Sequence, residues 1–209
     1  MALLHAATLT PSKADLISAW LPVQPWAPAD ATSVELVGAF RFDDPEGSVG
    51  MEVHLVRAAG TVFQVPLTYR DAPLADAEAS FVSTIEHSAL GTRWVYDGLG
   101  DPAFVRMLAA VTLGGAGQAV GLVEYEGRWV VVPPTVHLHG SGQPERVPVD
   151  GFVRTSDDDG WAVLRNDQRE LRVARRPGTG EPAPINLTAT WSGQDDPVVL
   201  AEIREFAPT

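Results

Sequence analysis

The chain has 209 residues, 45% of them hydrophobic, with 19 glycines and 17 prolines, a composition that fits an ordinary globular protein with room for one large or two small domains. A formal net charge of −12 argues against nucleic acid and anionic membranes as partners, because phosphate affinity comes from clustered Lys and Arg that release counterions. There is no cysteine, which excludes disulfides, thiolate nucleophiles, zinc ribbons and cysteine-ligated iron–sulfur clusters.

No stretch reaches the ~18 consecutive apolar residues of a membrane span. Met1 to Pro11 lacks the basic start, sustained apolar core and small-residue cleavage site of a secretory signal, so the expected location is cytoplasmic. Lys13 is the only lysine and asparagine is nearly absent. That bias is expected of a GC-rich coding sequence and points to a bacterial source.

Along the chain, Pro11 and Ser12 open a helix over Lys13 to Leu21, with Leu16, Ile17, Trp20 and Leu21 at helical spacing and Pro22 as its end. Three strands follow, Ser33 to Phe42, Val49 to Ala58 and Thr61 to Tyr69, separated by turn residues and forming an antiparallel meander. In the second, Met51, Val53 and Leu55 alternate with Glu52 and His54, so one face is expected to be buried and the other exposed. Asp71 to Leu90 is ambiguous. Asp101 to Leu113 reads as a helix with Asp101 as N-cap, Pro102 at its first position and Gly114 as its stop. Gly114 to Gly117 reads as a hinge. Strands are expected beyond it at Ala119–Tyr125, Arg128–Val132, Val136–His139, Val147–Arg154, Trp161–Arg165, Glu170–Arg175, Asn186–Trp191 and Val198–Phe206, together forming a small antiparallel sheet or barrel.

Several residue groups suggest chemistry, and each has a plainer reading. His137 and His139 share a strand face, but a metal needs three or four ligands and no third is evident. Asp157-Asp158-Asp159-Gly160 lacks the later glutamate of an EF-hand loop and reads as a hairpin turn. Glu86, His87 and Ser88 with Asp97 lack the Gly-x-Ser-x-Gly elbow that would expose a nucleophile. Gly114-Gly115-Ala116-Gly117 follows a helix, not a strand, and reads as a linker. The six tryptophans, Trp20, Trp26, Trp94, Trp129, Trp161 and Trp191, are compatible with sugar stacking or with core anchoring. Arg172, Arg175 and Arg176 form the one basic cluster, compatible with a phosphate, an acidic partner or a solvated strand end. No catalytic, cofactor-binding or metal-ligating residue is assigned. Trp20, Trp26, Arg172, Arg175 and Arg176 are the candidate contacts to a ligand or partner.

Trp20-Leu21-Pro22-Val23-Gln24-Pro25-Trp26, three strands, Val65-Pro66-Leu67-Thr68-Tyr69, then Tyr96-Asp97 and a helix resemble, in that order, the maltokinase N-terminal cap domain over roughly the first half of the chain. The resemblance implies a cystatin-like helix across a curved antiparallel sheet and contact with a kinase body. Gly160 to Arg165 and Arg169 to Arg176 resemble more faintly the strand hairpin of a kinase N-lobe. In the family a strand lysine serves the nucleotide phosphates, and by spacing Arg172 stands there. The chain ends at Thr209 without the helical lobe that would supply the catalytic and metal-binding aspartates, and phosphotransfer needs both positioning and metal charge. The resulting expectation is an α+β protein, a cap-like domain over 1–115 and a β-rich domain over 116–209. Its expected role is a non-catalytic binding or regulatory module, without cofactor, for a sugar kinase or an enzyme of α-glucan or trehalose metabolism. The alternative is a small carbohydrate-metabolising enzyme or a degenerate sugar kinase.

Overall fold

The computed structural model describes residues 2–4, 8–114, 116–142, 150–158, 160–178 and 181–206. Gly115 of the expected hinge, residues 147–149 of one expected strand and Asp159 of the aspartate turn lie outside them. The described chain is mostly β, with two α-helices.

After β1 (Ala2–Leu4) and β2 (Leu9–Thr10), Ser12 caps α1 (Lys13–Trp20), its hydroxyl accepting from the Asp15 N–H at 3.2 Å. The 3₁₀ turn Leu21–Val23 carries Pro22 near its start, where a missing N–H costs nothing. β3 (Glu35–Phe42), β4 (Gly50–Ala58) and β5 (Thr61–Arg70) form the expected meander. Ala59 and Gly60, both at positive φ (45° and 76°), make the tight turn between the last two. The ambiguous stretch resolves as β6 (Phe81–His87), which pairs with β7 (Gly91–Asp97) and β2, giving the antiparallel order β2-β6-β7-β5-β4-β3.

α1 lies on one face of this sheet, where Leu16, Ile17 and Leu21 pack with Val56, Phe63, Val65, Ile85 and Val95. The opposite face packs Met51, Val53 and Leu55 against the remainder of the chain. β4 is therefore covered on both sides, and the expectation that Glu52 and His54 face solvent is overturned. Both are buried, because α1 roofs their face.

α2 (Pro102–Thr112) begins at Asp101, whose carboxylate accepts from the Ala103 N–H at 3.1 Å. Its apolar side fits between Phe42, 5.7 Å from Phe104 between ring centroids, and a second sheet. β8 (Gly121–Tyr125) and β9 (Arg128–Val132) were expected to join that sheet. Instead they pair with the N-terminal β1, parallel to β8, as a separate three-stranded sheet. The second sheet holds β10 (Val136–Gly140), β11 (Val153–Asp158), β12 (Trp161–Arg165), β13 (Arg169–Gly178), β14 (Ile185–Trp191) and β15 (Gln194–Glu205). Its order is β10-β14-β15-β13-β12-β11, antiparallel throughout. One continuous core joins Phe40, Met51 and Leu55 of the first sheet, Phe104 and Leu108 of α2, and Leu164, Leu187 and Leu200 of the second.

α2 crosses this second sheet closely enough that a Cβ on Gly140 would collide with the Val111 carbonyl oxygen, whereas Gly117 has open space. Gly140→Ala should therefore lower unfolding free energy by about 1–3 kcal/mol. Gly117→Ala should stay within about 0.5 kcal/mol of the parent in urea titrations.

Candidate functional site

Of the residues singled out in the sequence, Trp20, Trp26 and Arg175 converge, and Arg172 and Arg176 stand apart from them. On a strand, positions 172 and 175 point to opposite faces. Arg175 turns inward and is fully buried. Its guanidinium sits over the Trp26 ring, 4.6 Å from the centroid, and Trp26 meets Trp20 edge to face at 5.7 Å. The charge is met by Asp97, the last residue of β7, which accepts from Arg175 Nη1 at 3.2 Å and from Nη2. Arg154 of β11 donates to the same carboxylate at 3.0 Å and is itself balanced by Asp157. Asp97 also accepts from the Leu99 N–H at 3.2 Å, shaping the turn that leads into α2. Arg175 Nε and Trp26 Nε1 find no acceptor among the described residues.

Arg172 lies on the other face of β13, over the Trp161 ring at 4.9 Å. It pairs with Glu202 at 3.1 Å and stands 3.9 Å from Glu170, while Arg165 and Arg204 engage those same two glutamates. The result is an alternating ladder, Arg165–Glu170–Arg172–Glu202–Arg204. Arg176 is exposed and passes over the Gly160 turn. The basic cluster read from three neighbouring arginines is thus distributed over two faces.

A second charged group, not singled out in the sequence, lies beneath α1. Glu52 accepts from Lys13 of α1 and from Arg41 of β3 at 3.2 Å. His54 Nε2 is 3.6 Å from the Glu52 carboxylate and 3.3 Å from the Tyr69 hydroxyl, and its Nδ1 has no partner among the described residues. Burial pushes the Glu52 carboxyl up, but protonated His54, Lys13 and Arg41 together outweigh it and hold it to about 2. Burial lowers the His54 imidazole to about 4 against the opposing pull of Glu52. At neutral pH this is an ionised carboxylate shared by two cations beside a neutral imidazole. The signal for it in the sequence was Lys13, the lone lysine, at the first position of a helix that must cross the strand bearing Glu52.

The remaining candidates separate. Among the described residues there is no group of three or more His, Asp or Glu around His137 and His139 or elsewhere. His87 Nδ1 accepts from the Ala89 and Leu90 N–H groups and Ser88 accepts from the Thr8 N–H, so both shape a turn. Asp97 lies at the far end of β7 from that turn, about 20 Å away at strand rise. Asp157 and Asp158 end β11, and Gly160, at φ 79°, begins the return into β12.

Removing one partner of a buried pair strands the other charge. Asp97→Asn and Arg175→Met should each cost about 3–5 kcal/mol, whereas Arg176→Ala should change stability by less than about 0.5 kcal/mol. Chemical denaturation distinguishes them. Both Glu52 and His54 bind protons more readily unfolded than folded, so stability should rise with pH. His54 contributes between its folded value of about 4 and its ordinary 6.5, and Glu52 between about 2 and 4.5. In denaturation midpoints followed against pH, His54→Gln should flatten the upper window and leave the fall at lower pH in place.

With this geometry in view, residues 20–101 match the family model of the maltokinase N-terminal cap domain. A glucosamine kinase solved in complex with glucosamine, ADP and inorganic phosphate shares the fold at a TM-score of 0.50 and 17% identity. The alignment covers 95% of this chain and 42% of that one. A second glucosamine kinase structure, crystal form A, aligns at a TM-score of 0.45 and 17% identity over the same shares. The chain thus spans less than half the length of the solved kinases it matches. No curated protein matches it. From Trp20 at the end of α1 to the Asp101 cap of α2, the chain carries a segment matching the maltokinase N-terminal cap domain family, the one its tryptophan-bounded opening resembles.

Proposed function

We propose that this protein is a non-catalytic binding or regulatory module that associates with a sugar kinase or with an enzyme of α-glucan or trehalose metabolism. The observation that carries this reading is the cap-domain match over residues 20–101, within a fold shared with a glucosamine kinase. In this reading the helix on the first sheet is a cystatin-like cap. On the same reading, residues 1–115 form the cap-like domain and 116–209 the β-rich one. The site of action is cytoplasmic and the source bacterial.

Two features of the structure support binding over phosphotransfer. Arg172, at the position by spacing of the family's phosphate-binding lysine, has its charge matched by Glu202 and Glu170. The three-stranded sheet exposes Tyr125, Trp129, Val130 and Val131, apolar surface of the kind that marks protein interaction sites. Of the candidate contacts, Arg176 is exposed and Trp20 half-buried, both within reach of a partner; Trp26 and Arg175 lie beneath Trp20, and Arg172 stands apart on the other face of β13.

Affinity capture from the source cell with the tagged full chain should recover a sugar kinase or a glucan enzyme, and recovery of neither counts against the proposal. ATP with magnesium should leave the melting temperature unchanged, since a nucleotide present at 100 times its dissociation constant would add ~2.7 kcal/mol. ATP-dependent phosphorylation of maltose or of a monosaccharide by the purified chain would replace this reading with the degenerate-kinase one.

A further inference from the structure

The β8–β9 hairpin rises from a fixed base. Where the chain enters it, the Ala119 N–H donates to the Arg41 carbonyl of β3 at 2.8 Å. Where the chain leaves it, the Thr135 hydroxyl accepts from the Ala39 N–H at 3.1 Å and donates to the Ala39 carbonyl at 3.0 Å. Gln118 ties entry to exit, its side chain donating to the Val136 carbonyl and accepting from the Leu138 N–H, both at 3.1 Å. Beyond these anchors β8 lies between β1 and β9, and β9 is an outer strand. Trp129 and Val131 of β9, which share a face, are 54% and 59% exposed, and Val130 is exposed on the other face.

An outer strand invites pairing with another chain unless it is short, bulged, charged or covered. The other outer strands among the described residues are managed in these ways. β1 has three residues and β2 has two. β3 is covered by Ala119 and Thr135, and β10 by Gln118. β11 is bulged between Arg154 and Ser156 and carries Arg154, Asp157 and Asp158. β9 has none of these devices along Trp129, Val130, Val131 and Val132, and Arg128 at its start is its one charged residue. The two-residue turn Glu126-Gly127, at φ 50° and 74°, makes Tyr125 and Arg128 the first hydrogen-bonded pair of the hairpin. Alternation then turns the backbone groups of Val130 and Val132 toward β8 and those of Trp129 and Val131 toward the open edge.

That edge is complementary to itself. We propose that β9 pairs antiparallel with β9 of a second copy of this chain, about a twofold axis at Val130, joining the two three-stranded sheets into one continuous sheet. In that register Trp129 exchanges both hydrogen bonds with Val131 of the second copy, so every outward N–H and C=O of the two strands is used. The side chains select the same register. Trp129 faces a β-branched valine across the strand pair, a favourable combination, and Arg128 faces Val132 rather than its own copy. Centring the axis on Trp129 instead sets Val131 against Gly127 of the turn and forfeits its bonds. Charge favours this edge as well. Two chains of net charge −12 repel, and the strand that meets here bears a cation and no carboxylate. The inference rests on this strand edge and is independent of the kinase or glucan-enzyme partner proposed above.

Sedimentation velocity on the full chain across the micromolar range tests it, and a monomer–dimer equilibrium is expected. Val131→Pro removes an N–H that points away from β8, so the hairpin keeps its own bonds. The twofold axis removes that bond twice, and the dimer dissociation constant should rise roughly tenfold or more. Trp129→Lys should raise it too, by setting a cation on the edge. Both variants should keep the parent circular dichroism spectrum. Because the chain has no cysteine, Val130→Cys puts the sole thiol on the axis and should yield a disulfide-linked dimer under mild oxidation. Val153→Cys, at an exposed position of the outer strand β11, should not. A single-chain mass throughout the range overturns the proposal. So does a dimer that either Val131→Pro or Trp129→Lys leaves at parent affinity, or cross-linking of Val153→Cys as fast as that of Val130→Cys.

Discussion

Arg175 and Asp97 form an ion pair with both side chains withdrawn from water, and much of the molecule is arranged around it. A guanidinium is tolerable in a protein interior only when its charge is met in a geometry that returns the solvation it has lost. A carboxylate gripped by two guanidinium nitrogens meets that condition, and the tryptophan face beneath adds cation–π attraction. The location matters more than the strength. Asp97 ends the last long strand of the first sheet, Arg175 lies near the end of β13, and Trp26 comes from the segment after α1. Arg154 adds β11 to the same carboxylate. Four stretches distant in sequence are held at one point, and the turn into α2 is shaped by the same side chain.

The same logic recurs through the fold. Arg70 takes both oxygens of Asp101 at 2.7 Å, tying the end of β5 to the start of α2. Lys13 ties α1 to β4 through Glu52. Such pairs contribute modest net stability, because desolvation consumes most of their attraction, but a wrong register would bury them unpaired. They favour one arrangement of helix and sheet over its neighbours. The cations of this acidic chain are largely spent in these pairs, which leaves Asp195 and the other unmatched carboxylates to set the character of the surface.

The cap-domain match ends at residue 101, yet the physical unit does not end there. Phe40, Met51 and Leu55 share their core with Leu164, Leu187 and Leu200, and α2 lies between the two sheets. The matched segment therefore shares one packed core with the strands that follow it.

Local chemistry made much of the secondary structure legible. The Ser12 and Asp101 caps, the Ala59-Gly60 turn and the Gly160 turn depend on neighbouring residues, and the meander and both helices follow from them. The tryptophan-bounded opening carried the cap resemblance for the same reason. β6 and β7 were less legible because their side chains are partly exposed and their apolar alternation is broken, and the association of β1 with β8 was not legible at all. Strand pairing across more than a hundred residues leaves no local mark. The sequence placed Arg172, Arg175 and Arg176 together, and only the pleat and the second layer decided that one is buried on Asp97 while the others face outward. Glu52 and His54 read as the wet face of a strand until α1 covered them. Periodicity reports which residues share a face; what lies against that face is a property of the assembled layers.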